Sequence, residues 1–268
     1  MSDAVQFLLA PLAMCLLLVG IHCYLGLHVL ARGVVFVDLS LAQVASFGAT
    51  IALLWDAEHH TEIGYALSLG TTLVASGIFA LARKYEDKIP QEALIGITYA
   101  FASAAVVLVV DRLAHGAEHL KEALVGQILW VSWGDVTKTL GIYSCVGFVH
   151  WIFRKQFIAN SFSRNHSVKW DFLFYALFGV VITSSTSIAG VLLVFSFLIV
   201  PSVMSAFFSR HLATRLFIGW ILGAIVSALG MLASYKFDLP VGAVLVVLLT
   251  SLPIITIPIL ALRGAIRP

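Results

Sequence analysis

Nine stretches of mostly apolar residues follow one another along this chain, each long enough to cross a bilayer, and that recurrence limits the fold more than anything else in the sequence. They run roughly over residues 6–30, 34–55, 64–82, 91–110, 136–153, 171–187, 189–208, 215–234 and 241–262. A helix needs about 17–25 apolar residues to span the hydrocarbon core, and lipid offers the backbone no hydrogen-bond partners, so such runs become helices. The sixth and seventh runs meet at Ser184–Ser187, where a break is expected. The apolar stretch Glu122–Gly134 is too short to span and reads as re-entrant or interfacial. Only 11% of the 268 residues are charged and 60% are hydrophobic, against roughly 25% charged in soluble domains. The reading is an all-α polytopic transmembrane bundle of eight or nine spans, forming a single domain over residues 1–268.

Basic residues orient such a bundle. With the N-terminus outside, Arg32, Arg83, Lys84, Lys88, Arg154, Lys155, Arg164, Lys169, Arg210, Arg215, Arg263 and Arg267 all fall on the cytoplasmic side, leaving Arg112, Lys121, Lys138 and Lys236 outside. The C-terminus is then cytoplasmic. The start MSDAVQ lacks the basic residues of a signal peptide, so the first run is expected to stay as a span. Cys15, Cys23 and Cys145 lie in apolar runs without CxxC spacing and read as small buried hydrophobes. A net charge of +2 is too mild to argue for a nucleic-acid partner. No GxxxxGK[ST] phosphate loop is present, so the chain carries no visible ATPase of its own.

Polar residues inside apolar runs are the candidate functional positions, because each is costly in lipid. The stretch from Arg32 to Trp55, which contains the second run, holds Asp38 and Gln43. On one continuous helix they lie ~9 Å and ~16 Å beyond Arg32, the latter near mid-bilayer. Ser46 belongs to a small-residue set in the same run, with Ala42, Ala45, Gly48, Ala49 and Thr50, that suits close helix contact. Asp38, Gln43 and Ser46 are therefore read as a substrate pathway. Outside, Glu58, His59 and His60 combine ligand types suited to zinc, manganese or iron, and read as a solvated loop or as a metal entrance. A second outside loop contains His115-Gly-Ala-Glu118-His119, literally the HxxEH of inverted zinc proteases, although Gly116 weakens the helix that motif needs. The cytoplasmic loop Arg154–Lys169 interleaves Phe157, Ile158 and Phe162 with basic residues, as expected of a helix lying on anionic lipid or docking a partner. Glu92 and Asp171 sit at span ends and are expected to cap helices or pair with Lys88 and Lys169. His22, His28 and His150 read as satisfied bundle residues.

Several segments, in order, resemble the permease subunit of ABC importers for divalent metals, the ABC-3 family. Arg32-Gly-Val-Val-Phe36-Val-Asp38 resembles its RxxxFxGDAxSHAxLPG region, and Ile89-Pro-Gln-Glu92-Ala-Leu-Ile95-Gly96-Ile97 its EDxAIGI segment. Leu124-Val-Gly126-Gln-Ile-Leu129 is similar to LFGSIL, and Gly190 through Pro201 and Ala206 to GVLLVxALLxxPAAxA. Ser234-Tyr235 with Asp238-Leu-Pro240-Val-Gly242 is similar to SYxxDxPxG. The resemblance covers about residues 30–250. It implies an importer of zinc, manganese or iron in a bacterial inner membrane, working as a homodimer. The expected partners are a cytoplasmic ABC ATPase that uses the ATP and an extracytoplasmic metal-binding protein. No covalently bound cofactor is expected. The resemblance also implies that Asp38 contacts the metal, and that Phe157, Phe162, Arg164 and Lys169 form the loop coupled to the ATPase. The sequence departs from the family pattern at one position of consequence: Ala42 stands four residues after Asp38, where the pattern has His, and the nearest polar residue is Gln43. Five residues turn a helix by about 500°, so Gln43 projects ~140° from Asp38. The acidic DxExA portion of the main cytoplasmic loop is also missing. Two other classes compete with this reading: a membrane-embedded zinc hydrolase using His115, Glu118 and His119, and an ion-coupled secondary carrier.

Overall fold

Residues 3–53, 62–112, 124–163 and 167–262 are described by a computed structural model. Over these residues the chain is helical, and no strand occurs among them. The helices are α1 (Asp3–Arg32), α2 (Val37–Leu53), α3 (Glu62–Arg83), α4 (Gln91–Val110), α5 (Trp133–Ile152), α6 (Arg154–Phe162), α7 (Val168–Ala206), α8 (Leu212–Phe237) and α9 (Val241–Leu262), with a 3₁₀ turn at Ile128–Trp130. Six of them are long and apolar enough to cross a membrane, and Val37–Leu53 is a shorter apolar helix.

The second apolar run does not form one helix from Arg32. Gly33 adopts φ 70°, a value that costs residues with a β carbon, and Val34 N–H returns to Val29 O. A new helix begins only at Val37. Asp38 thus sits in the first turn of α2 rather than part-way along a continuous span.

The sixth and seventh runs are joined in α7, and the break falls at Gly190 (φ 75°, ψ 159°), not at the serines. The hydroxyls of Ser184, Ser185, Thr186 and Ser187 all donate back to carbonyls of the preceding turn, so this stretch stays helical. The two limbs fold back on each other. Ser185 bonds His22, and Ser202 donates to Cys23 O, so residues 17 apart in α7 meet adjacent positions on α1. On a straight helix they would stand about 25 Å apart. The conformation of Gly190 is essentially reserved for glycine. Gly126 (φ 68°) presses backbone to backbone against Ala189 and Gly190, and Gln127 N–H donates to Ile188 O. The short apolar stretch before α5 therefore tucks into the reversal, which satisfies part of the exposed helix end.

α7 is the centre of the bundle, touching α1, α2, α3, α8 and α9. Phe174, Tyr175, Phe178 and Phe197 from α7 are fully enclosed. α2 lies against α3, α4 and α7. At Gly48 a β carbon would come within 2.5–2.7 Å of Thr71 Oγ1, Leu67 O and Ser68 Cα, so only glycine permits the spacing of α2 and α3. Thr71 Oγ1 then reaches across to Val44 O at 3.0 Å. α6 forms as expected between α5 and α7, but its apolar residues do not share a face. Phe157 is fully buried, whereas Ile158 and Phe162 point outward.

Replacing Gly190 tests the reversal. Gly190→Ala adds a β carbon within 2.4–2.7 Å of Gly126 N, Val125 C and Leu124 O. Together with the unfavourable φ this costs about 2 kcal/mol or more, visible as a lowered melting temperature of the detergent-solubilised protein. Ala at Gly20, which has open space around it, leaves the melting temperature nearly unchanged.

Candidate functional site

Asp38 is buried, with 1% of its surface exposed, and neither carboxylate oxygen has a hydrogen-bond partner. Its place in the first turn of α2 offers it the unpaired N–H ends of the helix, which favour a negative charge. Beside it, Glu92 at the start of α4 accepts the Phe36 N–H at 3.1 Å. Glu92 thus caps the entrance of α2, not a lysine in its own loop. Ser40 Oγ is likewise buried without a partner. Burying a carboxylate is expensive, and what faces this one is the backbone N–H of the first turn of α2 rather than another side chain.

The three proposed pathway residues divide between two faces of α2. Asp38 lies on the covered face with Leu41, Ala42, Ala45, Gly48 and Ala52. Gln43 and Ser46 are only half-buried and lie, with Leu39 and Leu53, on a less covered stripe. One chain therefore does not bring Asp38 and Gln43 together, as their ~140° separation on a helix requires. Among the described residues no group of three or more His, Cys, Asp or Glu could hold a metal ion. Glu58, His59, His60, His115, Glu118, His119 and Arg164 lie outside the described residues.

Behind the start of α2 sits a cluster of buried charges that the sequence does not announce. Arg32 at the end of α1 and Arg83 at the end of α3 each place Nη1 2.5 Å from Asp171 Oδ1 in the first turn of α7. Asn160 of α6 donates to the same oxygen at 2.7 Å, and its own Oδ1 accepts Ser167 N–H at 2.8 Å. Arg32 Nε donates to Ser161 Oγ at 2.9 Å, and its guanidinium lies 3.9 Å from the centre of the Phe174 ring. Asp171 therefore pairs with distant arginines rather than with the adjacent Lys169, which is exposed. Two positive groups share one negative group, out of water.

The histidines read as satisfied bundle residues have partners within the bundle. His28 Nδ1 lies 2.9 Å from Ser161 Oγ, and Tyr24 Oη lies 3.1 Å from His150 Nδ1. Phe157 stacks on His150 with ring centres 4.1 Å apart, which makes it an internal anchor of α6 rather than an exposed contact. Phe162 packs its ring edge near His28 while remaining 47% exposed. One signal for this inward face was legible: Phe157, Asn160 and Ser161 recur at i, i+3 and i+4. The pairing of Arg32 and Arg83 with Asp171 had no local sign, since basic residues at span ends also serve orientation.

Taken together, the fold and the site define a multi-pass helical membrane protein. The short apolar helix α2 starts beside a buried ion cluster that joins the ends of three helices and the short helix α6. Comparison with known proteins assigns the family: the chain belongs to the ABC 3 transport family, which it matches over residues 4–259. It is 27% identical to the chelated iron transport system membrane protein YfeD of Yersinia pestis, covering 74% of this chain and 72% of that protein. It is 24% identical to the manganese transport system membrane protein MntC of Listeria innocua, covering 84% of this chain and 81% of that protein. Its fold is similar to that of PsaBC from Streptococcus pneumoniae, solved in complex with Fab, with a TM-score of 0.76 at 22% identity over 93% of this chain and 91% of that one.

The ion cluster yields a stability test. Asp171→Asn leaves two buried guanidiniums without their counter-ion and destabilises the fold by about 3–5 kcal/mol. Adding Arg83→Gln removes one of the two stranded charges and recovers part of that loss. Melting temperatures of the two single variants and the double variant in detergent measure the coupling; strict additivity of the two losses would contradict the arrangement.

Proposed function

We propose that this chain is the membrane-spanning permease subunit of an importer for a divalent transition metal, driven by a separate cytoplasmic ATPase. The match to the ABC 3 transport family carries this reading, and relatives named for manganese and chelated-iron transport support the class of cargo. The chain itself is not the ATPase, since its sequence holds no phosphate loop. It works in the bacterial inner membrane as eight or nine spans in one domain. The N-terminus is outside and the C-terminus is cytoplasmic, as the distribution of Lys and Arg favours.

Two copies form the working unit, with an extracytoplasmic metal-binding protein delivering the ion. The half-covered stripe of α2 bearing Gln43 and Ser46 supports such a pairing, because a second copy would complete the lining. Asp38 offers a carboxylate at the α2 entrance, suited to handing on a hard or borderline divalent cation without trapping it. With Ala42 in place of an imidazole, each chain supplies fewer tight ligands, which favours passage over storage. Glu58, His59 and His60 form the external entrance of this pathway. The segment 154–169, with Phe157 as its internal anchor, meets the ATPase through Phe162, Arg164 and Lys169.

The test is metal content. Cells lacking this protein, cells with the native form and cells with Asp38→Ala are grown under metal limitation, and manganese, zinc and iron are read by elemental mass spectrometry. The native form restores one metal, and Asp38→Ala restores about a tenth of that or less, a loss of about 1.4 kcal/mol or more at the limiting step. If no metal differs between the deletion and native strains, the reading is wrong.

A further inference from the structure

We propose that Asn160 and Ser161 are the positioning residues through which α6 controls the turn into α2, and so the pathway that α2 lines. The inference rests on the reading of segment 154–169 as the ATPase docking segment, and it assigns that segment's inner face a task of its own.

α6 has two unlike faces. Arg154, Lys155, Gln156 and Ile158 are exposed, while Phe157, Asn160 and Ser161 are buried. Of the buried three, Phe157 makes only ring contacts, with His150, Trp170 and Phe174. Such contacts are weakly directional and let a short helix pivot. The other two make directional bonds to charged groups. Asn160 donates to the Asp171 carboxylate and Ser161 accepts from the Arg32 guanidinium. Hydrogen bonds to ionised groups are about twice as strong as neutral ones, so a displacement of α6 pulls on Arg32 and Asp171 before it is absorbed elsewhere.

Arg32 is a sensitive point to pull. It is the last residue of α1, followed at once by Gly33 in its left-handed turn and then by α2 with Asp38 in the first turn. The path from an exposed basic surface to the buried Asp38 helix thus runs through Ser161, Arg32 and the Gly33 turn. A parallel branch runs through Asn160 and Asp171 to Arg83 at the end of α3, and α3 packs along α2. Both branches reach α2, one at its start and one along its side. A merely structural role would need only that the buried charges be satisfied, and would not require both donors and acceptors to come from the one short helix with a free outer face.

The experiment compares metal gained with ATP hydrolysed. Cells carrying native, Ser161→Ala, Ser161→Thr or Asn160→Ala protein are assayed for manganese, zinc and iron by elemental mass spectrometry. ATP hydrolysis is measured on the complex that co-purifies with each tagged permease. Ser161→Ala and Asn160→Ala keep the ATPase bound and hydrolysing, while metal gained per ATP falls about five- to tenfold. Ser161→Thr, which keeps the hydroxyl, restores the native ratio. If Ser161→Ala does not fold, Asn160→Ala carries the comparison, because both arginines still reach Asp171. An unchanged ratio, or uptake and hydrolysis falling in proportion, overturns the inference and leaves the permease reading standing. A native complex that gains no metal overturns both.

Discussion

A single carboxylate, Asp171, receives two guanidiniums and an amide in a place nearly closed to water. Ions leave water only at considerable cost, and the cost is recovered only when each finds its opposite with good geometry. Four chain segments are bound by that requirement: the ends of α1 and α3, the start of α7 and the inner face of α6. None can shift far without stranding a charge. The apolar packing between transmembrane helices has no such directionality, because lipid tails satisfy an apolar surface as well as another helix does. The cluster therefore fixes the relative placement of these ends more firmly than their apolar contacts do.

That fixed end lies beside the start of α2. One face is sealed against α3 by Gly48 and the Thr71 hydroxyl, leaving no room for solvent. The opposite stripe is less covered and carries the amide and hydroxyl of Gln43 and Ser46. Between α1 and α2 lies a turn that depends on one glycine. A helix held tightly along its length and hinged at its start is suited to respond as a unit.

Much of the fold was legible as apolar length. Every expected run reappears as helix, and most ends fall within a few residues, because hydrocarbon thickness sets helix length directly. The two errors share a cause. The break between the sixth and seventh runs was placed at four hydroxyl residues that in fact bond back into their own helix, while the real reversal needed a glycine with a second glycine pressed against it. The stretch from Arg32 to Trp55 was read as one helix because hydropathy does not register a one-residue change of φ. Asp38 stood out in the sequence because a carboxylate in an apolar run is rare, and the structure buries it. Its separation from Gln43 followed from helix geometry alone. The partners of Asp171 were not legible: they lie 139 and 88 residues away, and nothing near them distinguishes an arginine that pairs from one that faces lipid headgroups. Phe157 looked like a surface residue because its neighbours are basic, yet its i, i+3, i+4 companions face inward.

The backbone contact between Gly126 and Gly190 bears on how the protein is made. Chains enter the membrane from the N-terminal end as they are synthesised. The carbonyl that receives the Gln127 N–H belongs to Ile188, which leaves the ribosome only after α5, α6 and most of the first limb of α7. Until then the loop before α5 cannot settle at membrane depth, where a backbone amide needs an acceptor. The order of synthesis thus dictates a waiting step: the early helices can gather first, but the end of the bundle around Gly126 closes only when the α7 reversal arrives to receive the loop.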